Sequence, residues 1–114
     1  MQKINVCIWG AGHKLEETYN SLRFDRCELL FIVDSLAEKN NTKFNGVNIV
    51  NPNNVDFNLV DYIVISAVKS EAIVEECNRR KIPSQKVIAF WNDTLEYDFI
   101  INTIKENIRL GEGK

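Results

Sequence analysis

Residues 3–15, which read KINVCIWGAGHKL, decide the fold of this chain. The first seven residues form a short apolar run rich in Ile and Val, which predicts a buried strand. The glycine turn Gly10-Ala11-Gly12 ends that run. After the turn the apolar period changes to that of an amphipathic helix, with Leu15, Tyr19 and Leu22 at i, i+4 and i+7.

The rest of the chain continues the alternation of strands and helices. Residues 28–33 (ELLFIV) return to strand character and complete a βαβ unit. Further strands are predicted at Val47–Val50, Tyr62–Val68 and Lys86–Trp91, and further helices after Ser70 and after Asp93. Eight asparagines between residues 40 and 58 favour turns over helix, so at most one helical turn is expected there, near Asn53–Phe57.

These elements predict a three-layer α/β fold with helices on both faces of a parallel sheet. The sheet is expected to have about five strands in the order 3-2-1-4-5, with Val47–Val50 as a short edge strand. Residues 1–110 are expected to form this single domain, and residues 111–114 (GEGK) a frayed tail. Ligands of such sheets bind outside the carboxyl ends of the strands, so a binding site is predicted there.

Composition and charge exclude several classes of protein. The 114 residues are 45% hydrophobic and 26% charged, which is ordinary for a soluble, cytoplasmic globular protein. The net charge of −2 and the lack of a basic stripe give no support to nucleic-acid binding. No apolar run approaches the ~20 residues of a membrane span. One histidine and three scattered cysteines offer no metal site.

Catalytic motifs are missing from the sequence. It has no GxxxxGK[ST] loop, no GxSxG elbow, and no tyrosine followed by lysine four residues later, as in short-chain dehydrogenases. The isolated chain is therefore not predicted to be catalytic.

The glycine turn is the strongest candidate for a binding site. Between a strand and a helix, Gly10, Ala11, Gly12 and His13 are typical of a phosphate-binding turn, because glycines let an anion approach the main chain and the free N–H groups. The third glycine of the dinucleotide fingerprint is replaced by Leu15. The alternative interpretation is a tight turn without a ligand.

Three polar residues are predicted to lie at the same edge of the sheet. Asp34 ends the second strand, 22 residues after Gly12, close to the ~20-residue spacing at which an acid contacts ribose hydroxyls. Its alternative role is to cap the following loop. Ser66 and Lys69 follow the fourth strand, where Lys69 either contacts a phosphate or is simply solvated. Trp91, which ends the last strand, either walls the pocket or packs on the final helix.

The stretches VCIWGAGHKL, FIVDS, GVNIVNP, VDYIVISAV and RRKIPSQKVIAF resemble one group of families. These are the short Rossmann-like domains of bacterial proteins of polysaccharide and sugar-nucleotide biosynthesis. The group includes the N-terminal parts of capsule-type nucleotide-sugar dehydratases and epimerases, and the N-terminal domains of sugar acyltransferases. The resemblance implies that residues 10–13 and Asp34 face a nucleotide or nucleotide-sugar.

Three functions remain open from the sequence. The first is a nucleotide or nucleotide-sugar binding module, with the diphosphate on Gly10–Gly12, the ribose at Asp34, and NAD or a UDP-sugar as ligand. The second is part of an NAD-dependent sugar-nucleotide dehydrogenase or epimerase, completed by a homo-oligomeric partner or by other domains of a larger protein. The third is an interaction or dimerisation domain without a ligand.

Overall fold

The structure, a computed structural model, describes residues 3–36, 42–91 and 108. Its six strands are β1 (Ile4–Trp9), β2 (Cys27–Val33), β3 (Thr42–Phe44), β4 (Val47–Val50), β5 (Tyr62–Ile65) and β6 (Val87–Ile88). Two helices lie wholly within the described residues, α1 (Leu15–Asn20) and α2 (Glu71–Arg79). Short 3₁₀ turns occur at Pro52–Asn54, Phe57–Leu59 and Ser84–Lys86.

The sheet has the order β3-β4-β2-β1-β5-β6 and is mostly parallel. The predicted order is one strand short, because β3 pairs antiparallel with β4 and occupies the outer edge. Asn45 and Gly46 join these two strands with φ values of 50° and 81°. Positive φ at both central residues is what a tight type I′ hairpin turn requires, and Asn-Gly satisfies it. The predicted edge strand, β4, is therefore an interior strand.

Two hydrophobic cores lie on opposite faces of the sheet, as alternation along β1 requires. Val6 and Ile8 belong to the core that also contains Leu15 of α1. Cys7 and Trp9 belong to the other core, with Cys77 of α2. The helices thus pack on both faces, in agreement with the predicted layers.

The crossover between β4 and β5 contains no α-helix. The 3₁₀ turns at Pro52–Asn54 and Phe57–Leu59 occupy it, close to the single helical turn predicted there. We call residues 52–59 the strap. Phe57 stacks on Trp9 with ring centroids 5.4 Å apart and planes 4° apart. The strap therefore covers part of the sheet face that a crossover helix would cover.

Several predicted boundaries differ from the structure. The strands β5 and β6 end at Ile65 and Ile88, earlier than predicted. Ser70 occupies the N-cap position of α2, but its side chain makes no capping hydrogen bond. The predicted final helix and the tail at 111–114 lie outside the described residues, except for Ile108, which is buried. Within the described part, no helix is long and apolar enough to cross a membrane.

The three thiols should make the fold sensitive to alkaline pH. Burial raises the pKa of Cys27 and of Cys77 from about 9 to about 11, and raises that of Cys7 further. Above pH 9 the unfolded chain loses thiol protons that the folded chain keeps, so the free energy of unfolding should fall as the pH rises. Each thiol can contribute a slope of at most about 1.4 kcal/mol per pH unit.

Urea unfolding at pH 8, 9, 10 and 11 measures this dependence. Replacing Cys77 by alanine should make the slope between pH 9 and 11 shallower, whatever it does to the stability at pH 8. An unchanged slope in Cys77→Ala would show that other groups cause the dependence.

Candidate functional site

The glycine turn after β1 has a backbone that only glycine adopts easily. Gly10 has a φ of 120°, and its N–H donates a hydrogen bond to the Val33 carbonyl at 2.7 Å. A Cβ atom built on Gly10 would lie 2.7 Å from the Ser66 Oγ. Conformation and space thus both require glycine at the end of β1.

Ser66, the first residue after β5, ties that strand to the glycine turn. Its side chain is buried, and its hydroxyl lies within hydrogen-bonding distance of the carbonyl oxygens of Gly10 and Trp9. Its N–H also donates to the Trp9 carbonyl at 3.0 Å. The structure therefore brings Ser66 to the turn, as predicted, where its contacts are with main-chain atoms.

Asp34 holds the other side of the turn. Its Oδ2 accepts the Ala11 N–H at 2.8 Å, and its Oδ1 accepts the Leu36 N–H at 2.8 Å. The residue is only 9% exposed. The contact with Leu36 caps the loop after β2, which is the alternative role considered for Asp34. The contact with Ala11 connects Asp34 to the glycine turn. Each carboxylate oxygen keeps further lone-pair capacity for a second donor.

Three consecutive main-chain donors follow Ala11. Within the described part of the chain, the N–H groups of Gly12, His13 and Lys14 have no hydrogen-bond acceptor. A Cβ atom built on Gly12 would meet nothing within 4 Å. The turn therefore presents free donors beside open space, and an anion is the ligand that such donors favour.

A groove of about 500 Å³ opens beside these donors. The glycine turn and the start of α1 form one wall, through Gly12 and His13. The β3–β4 hairpin forms the other, through Lys43, Phe44 and Ile49. Its size falls within the range of small-molecule sites.

The hairpin wall is the part of this site that sequence reasoning missed. Residues 44–47 read Phe-Asn-Gly-Val, and Asn-Gly between apolar residues is a strong hairpin signal. The abundance of asparagine around it favoured a loop instead. The Asn-Gly rule predicts the hairpin that contains Lys43 and Phe44, although its place beside the glycine turn depends on the order of the strands.

Four other residues singled out by the sequence or lying near this edge are Lys69, Trp91, Lys14 and Leu15. Lys69 is exposed and makes no hydrogen bond or ion pair with the described residues. Trp91 packs against α1, where its Nε1 donates to the Thr18 hydroxyl at 2.7 Å. Lys14 Nζ lies 4.6 Å from the centre of the Trp91 ring. Leu15, at the position of the third fingerprint glycine, is buried in the α1 core.

No metal centre is visible among the residues that the structure describes, since they contain no group of three His, Cys, Asp or Glu side chains suited to an ion. His13, the one histidine of the sequence, stands on the groove wall.

Comparison with known proteins agrees with this geometry at the level of the fold. A family model described as C2185-like, N-terminal, matches residues 2–88. The crystal structure of UDP-D-quinovosamine 4-dehydrogenase from Vibrio fischeri is similar, with a TM-score of 0.51 and 19% sequence identity. The similarity covers 68% of this chain and 72% of that one. No curated protein matches the sequence.

Proposed function

The chain belongs to the C2185-like N-terminal family, and we propose that it is a nucleotide- or nucleotide-sugar-binding module. The observation that carries the proposal is the run of three free N–H groups at Gly12, His13 and Lys14, beside an open groove. We propose residues 1–110 as the domain that holds the ligand.

The diphosphate is proposed to lie on the Gly10–Gly12 turn. An anion in front of Gly12 accepts the free N–H groups, and the absence of a side chain there allows it to approach the backbone. Gly10 and Ser66 contribute by fixing the turn, since both are engaged with neighbouring strands. Lys69 at the same edge supplies a positive charge for the phosphate.

The nucleoside is proposed to lie in the groove between the turn and the hairpin. Asp34 does not itself line the groove, but its carboxylate accepts the N–H of Ala11, which does, and we propose that the ribose hydroxyls donate to this carboxylate. A carboxylate at this place disfavours a 2′-phosphate, so NAD is preferred to NADP. The apolar side chains of Phe44 and Ile49 offer a surface to the base.

The ligand panel follows from these features. NAD, NADP, UDP and UDP-sugars should be titrated by isothermal calorimetry and by thermal shift. UDP-sugars are included because the similar solved structure is a UDP-sugar dehydrogenase. Stabilisation by NAD or by a UDP-sugar is the expected result. No stabilisation by any nucleotide would overturn the proposal and favour an interaction or dimerisation domain.

Replacing Gly12 by valine should weaken nucleotide binding while leaving the fold intact. The Cβ atom of the new side chain meets no neighbouring atom within 4 Å, and the side chain occupies the approach to the free N–H groups. We expect a loss of at least about tenfold in affinity, equivalent to one charge-assisted hydrogen bond. Calorimetric titration of the variant measures it.

Glu28→Val is the matched control for this experiment. Glu28 is exposed near the amino end of β2, away from the glycine turn, and it also receives a β-branched apolar side chain. The affinity of the Glu28→Val variant for the nucleotide should equal that of the original chain. Retention of full affinity in Gly12→Val would place the ligand elsewhere.

A further inference from the structure

A second groove, of about 430 Å³, lies between the strap and the end of α2. Its lining shares no residue with the groove at the glycine turn. The residues that matter for its chemistry are Asn53, Phe57, Arg80, Lys81, Ile82 and Lys86. Three of these six are cations, and none of the described residues that line the groove carries a carboxylate.

Arg80 is held in place by the two elements that form the groove. Its Nε donates to Glu76 at 2.7 Å, and its terminal nitrogens donate to the Pro52 carbonyl at 3.4 Å and to the Asn53 Oδ1 at 2.8 Å. The guanidinium has five N–H donors, so two remain for a ligand. Glu76 also binds Arg79, which further neutralises that carboxylate.

The two lysines carry charge that the described residues do not compensate. Neither Lys81 nor Lys86 has a carboxylate of the described chain within ion-pairing distance. Lys86 Nζ donates to the Phe57 carbonyl at 3.0 Å, which fixes the amine against the strap and leaves further donors. Asp56 caps the second 3₁₀ turn through the Asn58 N–H and does not line the groove.

Lys81 has a backbone conformation that disfavours a lysine. The φ of Lys81 is 61°, and the residue ends α2 in a Schellman motif. In this motif the Ile82 N–H donates to the Cys77 carbonyl, and the Lys81 N–H donates to the Asn78 carbonyl. Glycine is the usual residue at this position because it has no Cβ. A charged side chain at a strained position is a reason to look for function there.

We propose that this groove is a second anion-binding site, which takes a small molecule bearing a phosphate or diphosphate group. The guanidinium of Arg80 and the amines of Lys81 and Lys86 contact the phosphate oxygens. The side chains of Phe57 and Ile82 provide an apolar floor for the rest of the molecule.

The probe is inorganic pyrophosphate, titrated into the ¹⁵N-labelled chain and followed by NMR. To separate the two sites, the titration uses the Gly12→Val background. The expected result is a set of shifts at the amides of Asn53, Lys81 and Ile82 that saturates in this background. The absence of these shifts in the Gly12→Val chain would overturn the proposal. So would a titration of the original chain in which only the amides near residues 10–14 shift.

Lys81→Gly gives the decisive variant, because folding and binding should change in opposite directions. Removing the strained side chain should raise the melting temperature, while the affinity for pyrophosphate should fall about tenfold. Lys81→Arg should keep the affinity. Lys3→Ala, which removes the same charge at an exposed residue outside the groove, should leave it unchanged.

Two outcomes of these variants would contradict the site. An unchanged affinity in Lys81→Gly would show that the groove does not hold the anion. Equal losses in Lys81→Gly and Lys3→Ala would show that only the net charge matters. Malonate at matched ionic strength tests the chemistry, since equal binding of this dicarboxylate would overturn selectivity for phosphate.

Discussion

Replacing Gly10 by alanine is expected to lower the free energy of unfolding by about 3 kcal/mol. The φ of 120° is strained for any residue with a Cβ atom, and that atom would lie 2.7 Å from the Ser66 Oγ. Relief of the contact requires the serine hydroxyl to leave the carbonyl oxygens of Gly10 and Trp9. Backbone strain and the loss of these contacts therefore both lower the free energy of unfolding.

Urea unfolding followed by circular dichroism measures the change, with Gly12→Ala as the matched control. Gly12 has no positive φ and open space around its Cβ position, so its replacement should change stability by less than about 0.5 kcal/mol. Gly10 would then be required for folding, and Gly12 for binding of the ligand. Equal effects at both positions would contradict the geometry described for Gly10.

Replacing Asp34 by alanine is expected to destabilise the fold by about 3 kcal/mol. The variant removes the acceptor of the Ala11 N–H, a buried hydrogen bond of 2.8 Å, and that of the Leu36 N–H. A buried N–H without an acceptor is costly, and bonds to a charged group are stronger than neutral ones. The turn should loosen, so nucleotide affinity should fall with stability.

Asp25→Ala is the control for the loss of a carboxylate, and chemical unfolding is the measurement. Asp25 pairs with Arg23 at 3.0 Å on the surface, where that bond lowers the pKa of the carboxyl. Exposed ion pairs contribute little, so this variant should unfold close to the original chain. Asp34→Asn should lie between the two, because an amide keeps only one acceptor oxygen. Loss of nucleotide affinity in an Asp34→Asn chain that retains its fold would support the ribose contact.

The sequence predicted the arrangement of strands wherever the apolar pattern was strong. The run before Gly10 is apolar at every core position, and the structure buries alternate side chains of it on both faces. A glycine pair between strand and helix then fixes where the chain turns. These features are local, so a single sequence contains them.

The contacts that hold the site are not local, and spacing alone does not reveal them. Asp34 meets Ala11 across 23 residues, and Ser66 meets Gly10 across 56. Both side chains were predicted to lie at the correct edge of the sheet, but whether they face a ligand or the main chain depends on the register of three strands. The same holds for Arg80, which reaches Asn53 across 27 residues to join α2 to the strap.

The hairpin of β3 and β4 affects how readily the sheet can pair with a strand of another molecule. An outer strand presents unpaired main-chain groups, which invite another strand to add to the sheet and begin aggregation. Here the outer strand is only three residues long, and its central residue is the exposed Lys43. Shortness and a lysine are two devices by which natural sheets discourage such pairing. The hairpin that walls the groove therefore also ends the sheet in a form that resists further growth.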